Sequence, residues 1–327
     1  MEAHAANWCL LLRRTGCGRR VATVVTLLSP VVAAVTPFDR AGGIDAGAFG
    51  AYLDLLADAG VRSVLVNGTT GEFPSLTMAE RCTAVELCRR RWRSQVIVHA
   101  GATSVADAIA MVEHANDHAD AVALIAPFYF AGVGVDGVEA FFDRVLAAAR
   151  VPVVLYNFPR HTQLTLDPDM VGRLAARYRQ LIGLKDSGKD RDITRSYQRR
   201  APGLEVLVGD DSIGASVGDL GFGGVVTGAG SPVAELPVAI AAAVAAGDRD
   251  RAARLQGRFD RYSDYRRAMP VSDIAFAKAA LGARLPGFPA DVRAPLVTAT
   301  AAQQDEIRRF MRAEMSLDAR ADPNRGR

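Results

Sequence analysis

Eight short apolar runs alternate with longer amphipathic stretches along this chain, and that alternation predicts an α/β fold, a (β/α)8 TIM barrel with three additional C-terminal helices. Two further features agree. The runs are apolar at nearly every position, as strands covered on both faces are. Polar and aromatic residues gather where the runs end, which is the face on which such a barrel carries its working groups.

The strand candidates are VVAAV (31–35), VRSVLVN (61–67), QVIVHAG (95–101), DAVALIAP (120–127), VPVVLYN (151–157), LIGLKD (181–186), LEVLVGD (204–210) and GGVVTG (223–228). The stretches between them carry apolar residues at three- and four-residue intervals and read as helices. After Val226, residues 232–246, 249–265, 272–282 and 301–315 read as one closing barrel helix and three extra ones, with no strand signal among them. No Gly/Ser-rich or Pro-rich linker divides residues 31–315, so one domain is preferred.

At the amino end, Arg13, Arg14, Arg19 and Arg20 precede the apolar run VATVVTLLSPVVAAV, which could pass for a signal-peptide core. Pro30 interrupts it, and cleavage after Ala33-Ala34 would remove most of the first strand. The expected organisation is a disordered extension over residues 1–30, a catalytic barrel over 31–247, a helical region packed on it over 248–315 and a disordered tail over 316–327.

Of the 327 residues half are hydrophobic, and 39 Lys+Arg against 36 Asp+Glu give a net charge of +3 with the basic residues scattered, so no nucleic-acid footprint is expected. Cys9, Cys17, Cys82 and Cys88 form no CxxC pair and have no histidine at zinc-ligand spacing, which suits a reducing cytoplasm and no structural metal. No later run approaches the roughly 20 apolar residues of a membrane span.

Lys185 is out of place, since it closes the run Leu181-Ile182-Gly183-Leu184 where a central strand would normally carry Val or Ile. Burial disfavours an ammonium, so its pKa should fall and leave an amine able to attack a ketone. A lysine that snorkels from the barrel rim is the competing reading. Tyr156 ends the neighbouring strand and could supply a proton donor and acceptor over the same cavity, or could simply pack. Gly68-Thr69-Thr70-Gly71 could bind a carboxylate through backbone N–H groups and hydroxyls, or be an ordinary loop.

The run Gly132-Val133-Gly134-Val135-Asp136-Gly137 matches the GxGxxG dinucleotide fingerprint, but the acidic residue expected about 20 positions later is missing, and it reads as a loop. His99 and His161 end or follow strands. His4, His114 and His118 lie elsewhere, with no HExxH and no carboxylate cluster in the sequence beside them, so a metal-dependent barrel is disfavoured. Ser187 and Ser212 lack a His/Asp arrangement.

Taken together, GTTGEFPSLTMAER (68–81), YNFP (156–159), GLKDSG (183–188), GDD (209–211) and GGVVTGAGS (223–231) resemble, in order and spacing, the dihydrodipicolinate synthase and N-acetylneuraminate lyase superfamily. The resemblance runs from about Val31 to about Met315. It implies a class I lyase in which Lys185 forms an imine with pyruvate or a longer 2-oxo acid and Tyr156 moves protons. It further implies Thr69 as a relay, Thr70 as carboxylate ligand, the Val226 and Gly209 backbones at the substrate, and Tyr129 reaching into a neighbouring subunit's site. A homodimer or tetramer is then expected, the protonated imine is the electron sink, and no cofactor is needed.

The chain departs from that pattern after strand five. Synthases of dihydrodipicolinate typically read Tyr-Asn-Val-Pro-Ser-Arg-Thr-Gly there, with the arginine binding aspartate semialdehyde. Here His161 takes the arginine's place and Arg160 is displaced by one residue. Phe128 also replaces a tyrosine often found beside the lysine-feedback site, which argues against lysine inhibition. The expected function is therefore condensation of pyruvate with an aldehyde, or cleavage of a 2-oxo-3-deoxy sugar acid. The alternatives are 4-hydroxy-tetrahydrodipicolinate synthesis and, in another class, a barrel that binds 2-oxo acids without turning them over.

Overall fold

In the computed structural model, which describes residues 26–130 and 132–314, eight parallel strands close into a barrel in sequence order. They are β1 (Val31–Ala33), β2 (Ser63–Val66), β3 (Gln95–His99), β4 (Ala121–Ile125), β5 (Val153–Asn157), β6 (Leu181–Asp186), β7 (Glu205–Val208) and β8 (Gly224–Thr227). The barrel closes where β1 pairs with β8, Val31 standing opposite Val226. Each expected strand is present and sits within its expected run.

Around them lie α1 (Ala46–Asp58), α2 (Met78–Arg91), α3 (Val105–His118), α4 (Val135–Ala148), the single turn α5 (Pro159–Thr162), α6 (Pro168–Arg177), α7 (Arg191–Arg200) and α8 (Glu235–Ala245). Then come the three extra helices, α9 (Arg249–Ala268), α10 (Asp273–Leu281) and α11 (Ala301–Glu314). The seventh crossover differs from the expected helix, for it holds only a 3-10 turn over Asp211–Ser216. Gly214, Gly218, Gly221, Gly223 and Gly224 crowd this segment, and their backbone entropy works against a continuous helix. Gln256 of α9 fills the gap, its amide bonding the Asp211 carbonyl at 2.9 Å and the Ala215 N–H at 3.1 Å.

Period-two alternation divides the strands into two sets. Val31, Ala33, Leu65, Ile97, Ala121, Ala123, Val154, Leu207 and Val226 form one buried cluster inside the barrel, and Val32, Val64, Val66, Val96, Val98, Val122, Leu124 and Leu155 join the helices in a second. Gly183 belongs to the inner set, since a Cβ there would lie 2.8 Å from the Glu205 carbonyl oxygen and 3.1 Å from Leu27. Only glycine fits.

The expected extension over residues 1–30 falls mostly outside the described residues, but 26–30 are described and cap the base of the barrel. Leu27 is buried in the inner cluster and its N–H meets Glu205 Oε2 at 3.2 Å. The Leu28 N–H meets Gln95 Oε1 at 3.0 Å, and Ser29 Oγ accepts from Val225 N at 3.0 Å. The tail over 316–327 also lies outside the described residues.

A third cluster joins Val233, Leu236 and Ile240 to Phe259 and Tyr262 of α9, Phe276 of α10 and Ile307 and Met311 of α11. Beyond this apolar seam, charge ties α10 to the loop after β2. Lys278 Nζ stands 2.6 Å from Glu72 Oε1, both side chains fully buried, and donates to the Asp291 carbonyl at 2.6 Å. Arg293 completes the strap: its N–H meets Glu72 Oε2 at 2.9 Å, and its guanidinium bonds Glu80 and the Ser75 carbonyl. Glu80 also serves the capping box of α2, accepting from Thr77 N at 2.8 Å. Replacing Lys278 by Met would leave the Glu72 carboxylate buried without its cation, which should cost about 3–5 kcal/mol in a urea melt. Adding Glu72→Gln should recover part of that loss, and additive losses would show that the pair is not the coupled unit described.

Candidate active site

The inner set continues upward to the mouth. Two residues beyond Ile97, Ala123, Val154 and Gly183 come His99, Ile125, Tyr156 and Lys185, which the strand pleat turns toward the barrel axis, whereas Asn67, past the end of β2 with a left-handed φ, donates to the Arg81 carbonyl of α2 at 2.9 Å. Tyr156 and Lys185 are register partners on β5 and β6. Lys185 is 8% exposed and Tyr156 2%, and the lysine Nζ stands 3.9 Å from the centre of the tyrosine ring. The structure thus brings together the two residues on which the sequence reading placed most weight.

Their backbones are locked from behind. Asn157 donates to Asp186 Oδ1 at 2.8 Å and accepts from Leu166 N at 3.0 Å, while Asp186 also takes Thr194 Oγ1 at 2.5 Å and Gly188 N at 2.8 Å. These buried residues directly follow Tyr156 and Lys185. A polar residue at the outward position of an apolar strand was their one sequence signal.

Thr69 and Thr70 are half-buried in the loop after β2. A Cβ at Gly228 would come within 2.5 Å of Thr70 Oγ1, so the Thr70 hydroxyl packs on the turn two residues beyond Val226. That places Thr70 beside the end of β8. No hydrogen bond joins Thr69 to Tyr156 among the described residues. Gly209 is confined as well, since a Cβ there would collide with Ser187 Oγ at 2.1 Å.

Tyr129 is not drawn into this group. It is 86% exposed, pairs only with Phe130, itself 71% exposed, and holds a left-handed φ of 89°. Asn67, Glu72, Gln163 and Lys189 are the other described non-glycine residues with positive φ, and all five lie at or just beyond strand carboxyl ends. Backbone strain of this kind is concentrated where geometry serves function.

His161 sits on α5, its ring 4.1 Å from that of Phe158, which stacks on Tyr156 at 5.5 Å. A ladder of three rings therefore leads from the buried phenol to His161. Burial, aided by the Arg160 charge, holds the His161 imidazole below its ordinary pKa. Arg160 itself is exposed.

Two mouth residues stand at strand ends in the sequence reading, His99 on its own and Asp211 within GDD, but receive no role there. His99 is fully buried, edge-on to Tyr156 at 6.1 Å and to Phe73 at 4.5 Å, with neither ring nitrogen hydrogen-bonded. Burial, with the charges of Arg81 and Lys185, pushes its pKa well down, so the ring is neutral. Asp211, at the start of the 3-10 turn, is pushed up to about 6 by burial, against the opposing pull of a hydrogen bond from Thr227 and the charge of Arg266. The GxGxxG run proves to be the entry to α4, which begins at Val135.

Comparison with known proteins agrees with this picture. Residues 27–314 match the model of the dihydrodipicolinate synthetase family. A 4-hydroxy-tetrahydrodipicolinate synthase of Chelativorans is 32% identical over 85% of this chain and 94% of its own. An uncharacterised DapA-like lyase of Halobacterium salinarum is 36% identical over 80% of this chain and 86% of its own. Among solved structures, YagE of E. coli, in complex with pyruvate, shares the fold with a TM-score of 0.82 at 24% identity, covering 89% of this chain and 99% of that one. The KD(P)GA of T. tenax is 27% identical with a TM-score of 0.78, over 88% of this chain and 98% of its own.

Fold and relatives together define a barrel enzyme, a pyruvate-dependent lyase. The chain belongs to the dihydrodipicolinate synthetase family.

Asp211 supplies a pH signature. Its folded pKa of about 6 exceeds the ordinary 3.8, so the folded state holds the proton more tightly and stability is lost as pH rises from about 4 to about 6. Asp211→Asn removes that titration. Its melting temperature relative to the parent should therefore climb across this window and level off above it, and a flat difference would refute the buried carboxyl.

Proposed function

We propose that this lyase works through an imine on Lys185 and that its substrates are 2-oxo-3-deoxy sugar acids, or pyruvate with a related aldehyde. The supporting observation is the Lys185 amine held 3.9 Å from the centre of the Tyr156 ring at the mouth of the barrel. The amine adds to the C2 carbonyl, and proton transfer lets the oxygen leave as water. Loss of a C3 proton from the imine gives an enamine, which attacks the aldehyde carbon, and hydrolysis returns the amine. Tyr156 carries the protons, with Thr69 as relay. Thr70 and the backbones at Val226 and Gly209 hold the 2-oxo acid carboxylate, and His161 with Arg160 faces the incoming aldehyde.

The aldehyde choice rests on loop five. A neutral His161 over an apolar ring ladder gives little attraction to a second carboxylate, whereas a fixed guanidinium would give much. Identities of 30–35% to synthases of 4-hydroxy-tetrahydrodipicolinate favour a second reading, pyruvate plus aspartate semialdehyde. Free Cys82 and Cys88, both unpaired among the described residues, suit a cytoplasmic enzyme.

Borohydride reduction in the presence of pyruvate should fix one pyruvate-derived adduct on Lys185, located by peptide mass spectrometry and absent from Lys185→Ala. A parent protein that gains no adduct would end the imine reading. On the same preparation, pyruvate with glyceraldehyde should turn over faster than pyruvate with aspartate semialdehyde, and the reverse order would establish the second reading.

We also propose that Tyr129 completes the site of a neighbouring subunit in a homodimer or tetramer. Its exposure and its left-handed backbone support this. Lys185→Ala and Tyr129→Phe should each be nearly inactive alone. Mixed through mild dissociation, they should regain activity, because a hybrid unites an intact lysine with the other chain's tyrosine. Absence of rescue, with hybrids shown by native mass spectrometry, would place Tyr129 outside the relay.

A further inference from the structure

On the outer flank of the barrel, Glu86 of α2 meets His114 and His118 of α3. One ligand atom from each lies within 4.8 Å of the others. The histidines are four residues apart on one helix, so both imidazoles project from the same face, and their rings stack at 4.4 Å and 28°. Glu86 enters from the neighbouring helix, its Oε1 3.3 Å from His114 Nε2. Glu113 and Asp117 adjoin the histidines in the sequence, but the carboxylate whose oxygen joins their ring nitrogens is that of Glu86. The fold supplies it from 28 residues away.

Three features distinguish this group from an ordinary surface contact. His114 Nδ1 is buried with no hydrogen-bond partner, an arrangement that proteins avoid unless something else satisfies the atom. All three residues are half-buried, shielded enough to weaken competition from water yet open to an ion and its remaining aqua ligands. Among the described residues the one Lys or Arg paired with Glu86, Arg90, stands 3.7 Å from its second oxygen with 65% of its own side chain exposed, and a pair of that kind is worth little.

We propose that Glu86, His114 and His118 form a binding site for a divalent transition-metal ion, separate from the catalytic mouth. Two imidazoles and a carboxylate are borderline donors that suit zinc and its neighbours in the series, not calcium or magnesium. With metal–ligand bonds of about 2.0–2.1 Å, tetrahedral ligand atoms stand about 3.3 Å apart, which these side chains reach by small rotations. Water fills the fourth position. The ion links α2 to α3, so its effect is on the stability of the barrel flank. Cys82, one turn before Glu86 on α2, remains a thiol outside the ligand set, its pKa raised by burial and the Glu86 charge.

The test uses the full-length, untagged chain, stripped with chelator and titrated with zinc against a chromophoric competitor, with thermal melting in parallel. The parent should take up one equivalent of zinc and melt higher when loaded. His114→Ala/His118→Ala should bind at least about tenfold more weakly, since even changes beyond the ligand shell have effects of that size, and should lose the zinc-dependent rise in melting. Its circular dichroism and lyase activity should match the parent, which separates lost ligands from lost folding. Cys82→Ser should bind as the parent does. Equal affinity of parent and double variant, the absence of saturable binding, or a loss confined to Cys82→Ser would each overturn the proposal.

Discussion

The buried ion pair between Glu72 and Lys278 is the constraint on which the mouth depends. A barrel of strands fixes the directions of side chains two residues past the inner layer, but it does not fix the loops above them. The loop after β2 carries Thr69 and Thr70 and ends in Glu72, whose φ of 58° is not one that a free glutamate favours. What holds that turn is the α10 lysine, 2.6 Å away and fully buried, together with the Arg293 N–H on the other carboxylate oxygen. Burial pushes the Lys278 pKa down, and the Glu72 charge and hydrogen bond, with a smaller pull from the Asp291 charge, oppose it, so either ion of the pair alone is in a hostile place. The three extra helices therefore help to shape the mouth.

The same logic orders the rest of the rim. Loops five and six are held by Asn157 and Asp186 bonding to each other across adjacent strands, behind the residues that face inward. Strain at Asn67, Glu72, Tyr129, Gln163 and Lys189 accumulates on this rim, where rigid strands and straps can hold it. Tyr129 is the exception in one respect. Its φ of 89° belongs to a side chain that is 86% exposed and whose ring, among the described residues, pairs only with the exposed Phe130.

Much of this was legible in the chain itself because it is local. Apolar runs interrupted at fixed intervals gave the eight strands, and the pleat period then put Tyr156 and Lys185 on the inner face without any long-range information. The seventh crossover was misread because apolar spacing registers helical faces but not whether a glycine-rich segment can sustain a helix. His99 was seen at a strand end, yet its neutrality depends on Arg81 and Lys185, which only the fold brings near. Glu72 with Lys278, and Glu86 with His114, meet across 206 and 28 residues respectively. Nothing in a single sequence weights one such pairing over another.

Chemistry and substrate choice separate along the ladder of rings in loop five. Tyr156, at its foot, is tied to β5 and to Lys185 by strand register, so the placing of these two side chains is set by the barrel. His161, at its top, stands on the single turn α5, outside the sheet and within reach of solvent. Changing a residue there costs little core packing, whereas changing Tyr156 disturbs a side chain that is 2% exposed. One scaffold can in this way hold Tyr156 and Lys185 rigidly on paired strands while the turn that carries His161 stays free to vary.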